Sequence, residues 1–446
     1  MTLPPFLHGH ATHPDWRMAL SLALAQVDAQ ATRRAHAARP ADPASDSGSA
    51  AAADTVKHPA DAPAPPQAGS TLPPSTPATP AAQPLPLAAG QPSDPTLGWC
   101  YLSDHYAASA EAIHAELQRR CPGVAWVGVT AVGVAASGVE YLNEPALVLM
   151  LADLPRECFR IFNGPHPLPP AESGFEAHTA LVHADPSTPE LEELLAELAP
   201  RTATGYLFGG LASARHRARH IAGGVWSGGL SGVAFDRSVQ LISRITQGCQ
   251  PIGPARVITE ADRNVVVSLD GEPALDCLLR DLGAADAPSH RELLPRLRTT
   301  LAGLSSGAAD AIRRPGQFGT DTRVRHLIGL EPQRRGLAVA EEVDEGMQLA
   351  FCTRNPQAAR RDLVRIATEI REEVEGDGEQ PPRRMLGALY ISCAGRGGPH
   401  FGGEHAELQA LQHALGELPL AGFFAGGEIA RDQLYGYTGV LTVFVA

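Results

Sequence analysis

Hydrophobic positions along this chain follow two rhythms. Trp16, Leu20, Leu24 and Val27 recur at helical spacing and predict an amphipathic helix. Asp15 and Arg17 precede the apolar run Met18–Ala25 and Arg33-Arg34 follows it, an order unlike that of a secretion signal. Leu97–Leu102, Ala125–Ala131, Ala146–Leu151 and Leu386–Ser392 are apolar stretches of strand length. Such stretches suit strands covered on both faces. Thr204–Leu207, Gly224–Trp226, Gly232–Phe235 and Val239–Ile245 read as strands bounded by glycines, with Gly209-Gly210 and Gly223–Gly232 as hairpin turns. Arg256–Glu260 and Asn264–Leu269 alternate in strand fashion, and further strands fall near His326–Leu330, Gly336–Val339, Met347–Phe351, Ala421–Phe424 and Gly439–Val445. Helices are predicted over Ala107–Arg120, Pro189–Leu198, Pro356–Glu375 and Glu404–Leu415. Strands and helices are mixed throughout, so the class is α/β or α+β.

Both rhythms vanish from Pro40 to Pro95, a stretch with no aromatic residue that holds 14 of the 39 prolines and three of the 44 glycines. Nothing in it can bury a core, and its composition predicts an extended spacer. The other 41 glycines therefore belong to the folded body, many at the ends of predicted strands. A length of 446 residues suggests two or three domains. The formal charge of −13, without a Lys/Arg-rich block, argues against nucleic acid or an anionic membrane surface as partner. No window reaches the roughly 18 apolar residues of a membrane span. Seven cysteines without a CxxC pair fit reduced thiols in a cytoplasm.

The densest chemistry is Gly387–Gly398, an apolar strand running into a loop of small residues with Cys393 and Arg396. Open α/β sheets place ligands at such strand ends. Gly395, Gly397 and Gly398 would let backbone approach an anion, and Arg396 could clamp a carboxylate. A Gly-rich turn with a solvated Arg396 is the plainer alternative. Cys393 is either a small buried hydrophobe or a thiolate favoured by Arg396. The next cluster, Ala421–Ile429, carries Gly426, Gly427 and Glu428. Glu428 could receive an amino group or pair with Arg396, or be a helix first-turn or surface charge. Tyr437, in Tyr435–Gly439, adds a hydroxyl. No GK[ST] follows any Gly-rich loop, which excludes a P-loop. His216 and His220 stand four apart, and His8, His10 and His13 crowd the N-terminus, but neither group has a metal motif's context. A ligand site is expected among the glycines between Cys393 and Gly439.

Several of these segments together resemble the FIST family, a two-part module of bacterial signalling proteins. They are Asp15–Leu20, Val257–Thr259, Leu269–Leu275, Ser392–Gly397, Gly422–Ile429 and Gly436–Leu441. The resemblance implies two mixed β-sheet domains flanked by helices; the chain departs from the family in the disordered Pro/Ala-rich insertion near the N-terminus, which its composition predicts. The expected parts are an N-terminal helix in 1–32, the linker in 33–95, a first domain in 96–245 and a second in 246–446. It further implies a cytoplasmic sensory protein that binds an amino acid or similar small polar ligand and signals through a separate partner. The residues offered for the ligand are Cys393, Arg396, Gly397, Gly426, Gly427, Glu428 and Tyr437. No cofactor is required, although some family members resemble haem-dependent nitric oxide sensors. A protein-interaction module and an enzyme with Cys393 as nucleophile remain as alternatives.

Overall fold

The computed structural model describes residues 5–37, 94–170, 174–284, 290–306, 318, 322–376 and 383–446. From 38 to 93 the Pro/Ala-rich stretch thus lies outside the described residues. Among them, three parallel pairs of strands organise the sheets. Leu97–Ser103 lies beside Ala125–Ala131, Thr179–Ala184 beside Leu207–Leu211, and Met385–Cys393 beside Leu420–Ala425. Parallel neighbours need a crossover, and each pair has a helix in its connection: Ala110–Arg120, Leu191–Leu198 and Ala406–Leu415.

All three pairs are extended in the same order. Outside the first strand of each pair lie two antiparallel strands, and outside the second lies an antiparallel hairpin. The first sheet adds Ala146–Ala152 and Leu7–Thr12 on one side and His220–Ala222 with Val225–Trp226 on the other. The second adds Leu230–Phe235 and Phe159–Phe162, then Glu428–Arg431 with Gln433–Tyr435. The third adds Thr438–Val445 and Gln240–Gln247, then Gly133–Ala136 with Val139–Leu142. Each hairpin follows one parallel pair in the chain yet completes the sheet of another. The first repeat gives its hairpin to the third sheet, the second to the first, and the third to the second. The halves of the chain are therefore interlocked by backbone hydrogen bonds.

A glycine marks the repeat. Gly128, Gly209 and Gly422 lie within the second strands of the three pairs, and a Cβ at each would overlap the carbonyl oxygen of Cys100, Val182 and Tyr390 respectively. These strands approach closely because the residue has no side chain.

The inner faces of the three sheets share one core, in which Phe444 meets Trp99 and Phe235, and Tyr101, His183 and Phe423 meet one another. Outer faces are covered by helices. Trp16–Ala37 and Ala110–Arg120 cover the first sheet, Leu191–Leu198 the second, and Pro356–Glu375 with Ala406–Leu415 the third. Alternation along Met385–Cys393 follows, with Leu389 and Ile391 inward and Ala388 and Tyr390 under the helices. Between Gln240–Gln247 and Pro356–Glu375 the chain builds a closed antiparallel barrel from Arg256–Asp262, Val265–Leu269, Thr300–Ser305, Arg323–Glu331, Gly336–Val339 and Gln348–Arg354. Helix Ala274–Asp281 packs into its core.

The mixed sheets flanked by helices match the expected class, with local differences. The N-terminal helix runs from Trp16 to Ala37, and the strand Leu7–Thr12 precedes it. Gly209 and Gly210 lie inside a strand that begins at Leu207, so they are not a turn; the repeat's close approach, not a reversal, demands Gly209 there. Among the described residues no helix is long and apolar enough to cross a membrane.

Gly422→Ala is expected to cost about 3 kcal/mol or more in urea unfolding, with similar losses for Gly128→Ala and Gly209→Ala. Gly164, which has open space where a Cβ would stand, serves as the control. Equal stability of all four variants would contradict the close approach.

Candidate functional site

Tyr390 and Ser392 are two apart on one strand and share the face under the helices. Glu407, in the first turn of Ala406–Leu415, lies above them with no solvent exposure. Its Oε1 accepts from the Tyr390 hydroxyl at 2.7 Å, from the Ser392 hydroxyl at 3.0 Å and from Arg396 Nε at 3.1 Å. Arg396 is itself wholly buried, with its guanidinium 5.2 Å from the Phe401 ring centre. Burial opposes its charge, but the neighbouring Tyr390, Glu407 and Glu428 outweigh that and raise its pKa further.

A second carboxylate fixes the loop from below. Glu140, on a strand contributed by the first repeat, accepts from the backbone N–H groups of Glu407 at 2.9 Å and Leu408 at 3.2 Å, and from that of Gly398 at 2.5 Å. It supplies from far away in sequence the acceptor that the helix N-terminus lacks locally. Burial and the nearby Glu407 push its pKa upward. The barrel holds the outer edge: Arg354 stacks on the Tyr437 ring at 5.1 Å and donates to the Gly395 carbonyl, while the Tyr437 hydroxyl meets His326 Nε2 at 2.6 Å. Tyr437 has a φ of 61°, a left-handed backbone that is uncommon for a bulky residue, and its carbonyl accepts from Arg396 Nη1 at 3.2 Å.

Opposite this loop stands Glu428, fully buried where the third repeat's hairpin crosses to the second sheet. Its Oε2 accepts from Thr438 N at 3.1 Å and from the Thr438 hydroxyl at 2.7 Å. Its Oε1 has no partner, and neither has Arg396 Nη2. An unmade hydrogen bond on a buried polar group costs about 1–3 kcal/mol, so two in one place mark a site that a ligand could complete. Burial raises the Glu428 pKa to about 8, against the opposing pull of Thr438, Arg396 and Cys393.

The loop at the end of the third parallel pair therefore brings together Cys393, Arg396, Glu428 and Tyr437. Arg396 is bound to Glu407 and Tyr437, which leaves one free guanidinium nitrogen rather than a bidentate face. Glu428 is in a strand, neither in a helix first turn nor at the surface. Gly397 is buried against Leu142 and Phe424. Gly426 donates to the Leu211 carbonyl at 3.0 Å, and the Gly427 carbonyl accepts from Leu211 N at 2.8 Å, so both knit the sheet junction. Burial and Glu428 push the Cys393 thiol up to about 12, which favours the small buried hydrophobe over the thiolate as the reading of Cys393.

The repeat sharpens the contrast with the other strand ends. Val134, His220 and Glu428 hold one position: each faces the residue after the repeat's glycine, namely Phe423, Val129 and Gly210. Asp104, past the first strand end, is paired with Arg215 at 2.6 Å, and Asp185, past the second, accepts from Ser187 and Gly228. Sequence reasoning missed Glu140, Glu407 and Thr438. Glu407 sits eleven residues beyond Arg396 in an ordinary helical pattern, and Glu140 is 256 residues before it, so neither spacing carries a signal.

A haem would need a histidine with a free ring nitrogen beside a large cavity. His178 lines a cleft of about 340 Å³ between the second and third sheets, whereas His183 Nδ1 and His220 Nε2, unpartnered and wholly buried, do not. That cleft, at the small end for ligand pockets, has room for a small molecule. His216 and His220 lie in a loop and a strand, not on one helix face, and among the described residues no three His, Cys, Asp or Glu side chains gather to hold a metal.

Comparison with known families matches residues 96–272 to the FIST N domain and 274–431 to the FIST C domain. The division falls inside the barrel. An uncharacterized protein of Mycobacterium tuberculosis is 31% identical over 347 residues, covering 74% of this chain and 86% of the relative. An uncharacterized protein of Mycobacterium bovis is 30% identical over 365 residues, covering 76% and 88%.

With its thiol held protonated, Cys393 should react with iodoacetamide at pH 7.5 roughly a thousandfold more slowly than an unperturbed cysteine. Peptide mapping after brief labelling checks this, and prompt modification of Cys393 would restore the nucleophile reading.

Proposed function

The chain belongs to the FIST family, whose domains are associated with sensory and signalling roles, and from that premise we propose that it is a cytoplasmic sensor of a small polar ligand, an amino acid or a similar compound. The ligand binds between Arg396 Nη2 and Glu428 Oε1. The observation that carries this reading is that these two atoms, on fully buried side chains, make no hydrogen bond, whereas Arg396 Nε is bound to Glu407 and Glu428 Oε2 to Thr438.

The same placement suggests how occupancy is passed on. Arg396 belongs to the third repeat and reaches the barrel through Tyr437 and Arg354, whereas Glu428 is a strand residue of the second sheet. A molecule bridging them ties a sheet junction to the barrel edge and alters the surface that a separate signalling partner would read.

A thermal-shift screen of amino acids and small carboxylates tests the proposal. A ligand at a hundred times its Kd should add about 2.7 kcal/mol of stability. Arg396→Lys keeps a cation for Glu407 while removing the free Nη2, and should abolish the shift. No stabilising compound, or an undiminished shift in Arg396→Lys, would overturn it.

A further inference from the structure

Midway along two neighbouring strands of the third sheet, a hydroxyl interrupts a row of apolar residues facing the shared core. Ser243 stands between Leu241 and Ile245 on Gln240–Gln247, and Thr442 between Val440 and Phe444 on Thr438–Val445. The register sets the two directly opposite each other, with their hydroxyl oxygens 2.9 Å apart. Tyr206, the residue before the second sheet's Leu207–Leu211, reaches across and donates its hydroxyl to Ser243 Oγ at 3.0 Å. Alanine and valine would fill the two strand positions without needing partners, so packing alone does not call for this trio.

The hydrogens of the trio can be placed by elimination. Thr442 has no solvent exposure, and among the described residues its hydroxyl meets Ser243 Oγ alone. It therefore donates to Ser243, because the reverse would leave its own hydrogen buried without an acceptor. Tyr206 donates to the same oxygen. Both lone pairs of Ser243 Oγ are then filled, and the Ser243 hydrogen is left with no protein acceptor. All three hydroxyl residues line the cleft of about 340 Å³ between the second and third sheets, where Phe208, Val239 and Leu241 supply apolar surface. Among the described residues no Lys, Arg, Asp or Glu lines it. The charges that reach Tyr206 are those of Arg431 and Arg244, and Arg244 is paired with Glu369 and Glu373.

We propose that this cleft is a second ligand site, which takes a compact uncharged molecule with an apolar body and one carbonyl-type oxygen. The oxygen accepts from Ser243, and the body lies against Phe208, Val239 and Leu241. An ion would give up water at a wall that offers no opposite charge, whereas a neutral carbonyl exchanges one hydrogen bond for another. The site does not rest on the gap between Arg396 and Glu428. Phe208 lies two residues before Gly210, which faces Glu428 across the ladder, and Thr442 lies four residues beyond Thr438, which holds the Glu428 carboxyl. The two sites share strands but no residue.

The test is an NMR titration of the methyl-labelled full chain with four probes of similar size: acetophenone, ethylbenzene, benzoate and benzylamine. Acetophenone should bind wild type and show NOEs from its ring to the Val239 and Leu241 methyls. Absence of those contacts up to its solubility limit would overturn the site, and this measurement needs no variant. Benzoate or benzylamine binding more tightly than acetophenone would overturn the uncharged class. The combined variant Tyr206→Phe, Ser243→Ala and Thr442→Val removes the whole hydroxyl set, so no hydrogen-bonding partner is stranded in the core. In it the ratio of acetophenone to ethylbenzene affinity should fall about fivefold, the worth of one hydrogen bond. An unchanged ratio would overturn the donor role of Ser243.

Discussion

One buried ion pair organises this end of the molecule. Arg396 and Glu407 have almost no solvent contact, and isolating either charge there would cost several kcal/mol. The pair persists because its remaining hydrogen-bonding capacity is largely used, by Tyr390 and Ser392 on Glu407 and by the Tyr437 carbonyl on Arg396. From it follow the path of the loop after Cys393, the seating of the helix above it and the direction in which the one unused guanidinium nitrogen points. Glu140 adds a second lock from another part of the chain by capping that same helix.

The repeat sets this place among equivalent strand ends that are finished differently. Three sheets with the same order present their parallel strands toward one core, so three equivalent ends are available. At two of them an Asp is satisfied by Arg215 or by local Ser and Gly donors, while His183 Nδ1 and His220 Nε2 stay unpartnered. At the third the chain carries Ala394 and Gly395 past the strand and turns Arg396 inward, and the hairpin exchanged into the second sheet brings Glu428 to face it. The exchange of hairpins is what sets residues 32 apart in sequence and in different sheets against each other.

Much of this was legible in the sequence, for reasons that can be named. Apolar runs such as Ala125–Ala131 and Leu386–Ser392 have strand length and no charge, so their elements were readable to within a residue or two. The Gly-rich ends pointed to the loops that converge on Arg396 and Glu428. The threefold repeat was not legible, because it survives as strand order and one glycine per sheet, with little recurring side-chain pattern around it. Short strands such as Gly133–Ala136 and His220–Ala222 carry too few residues to show a period, yet they make the exchanged hairpins. Glu407 was hidden for a different reason: on a helix it looked like any surface acid, and only its position over Tyr390 and Ser392 buries it.

The claim on which the account rests is that Arg396 and Glu407 act as a unit. A double-mutant cycle with Arg396→Met and Glu407→Gln, alone and combined, measures this by urea unfolding. The predicted coupling energy exceeds about 2 kcal/mol, with the double variant less damaged than the sum of the single ones. Additivity within about 0.5 kcal/mol would mean that the two groups do not depend on each other, and would contradict the account.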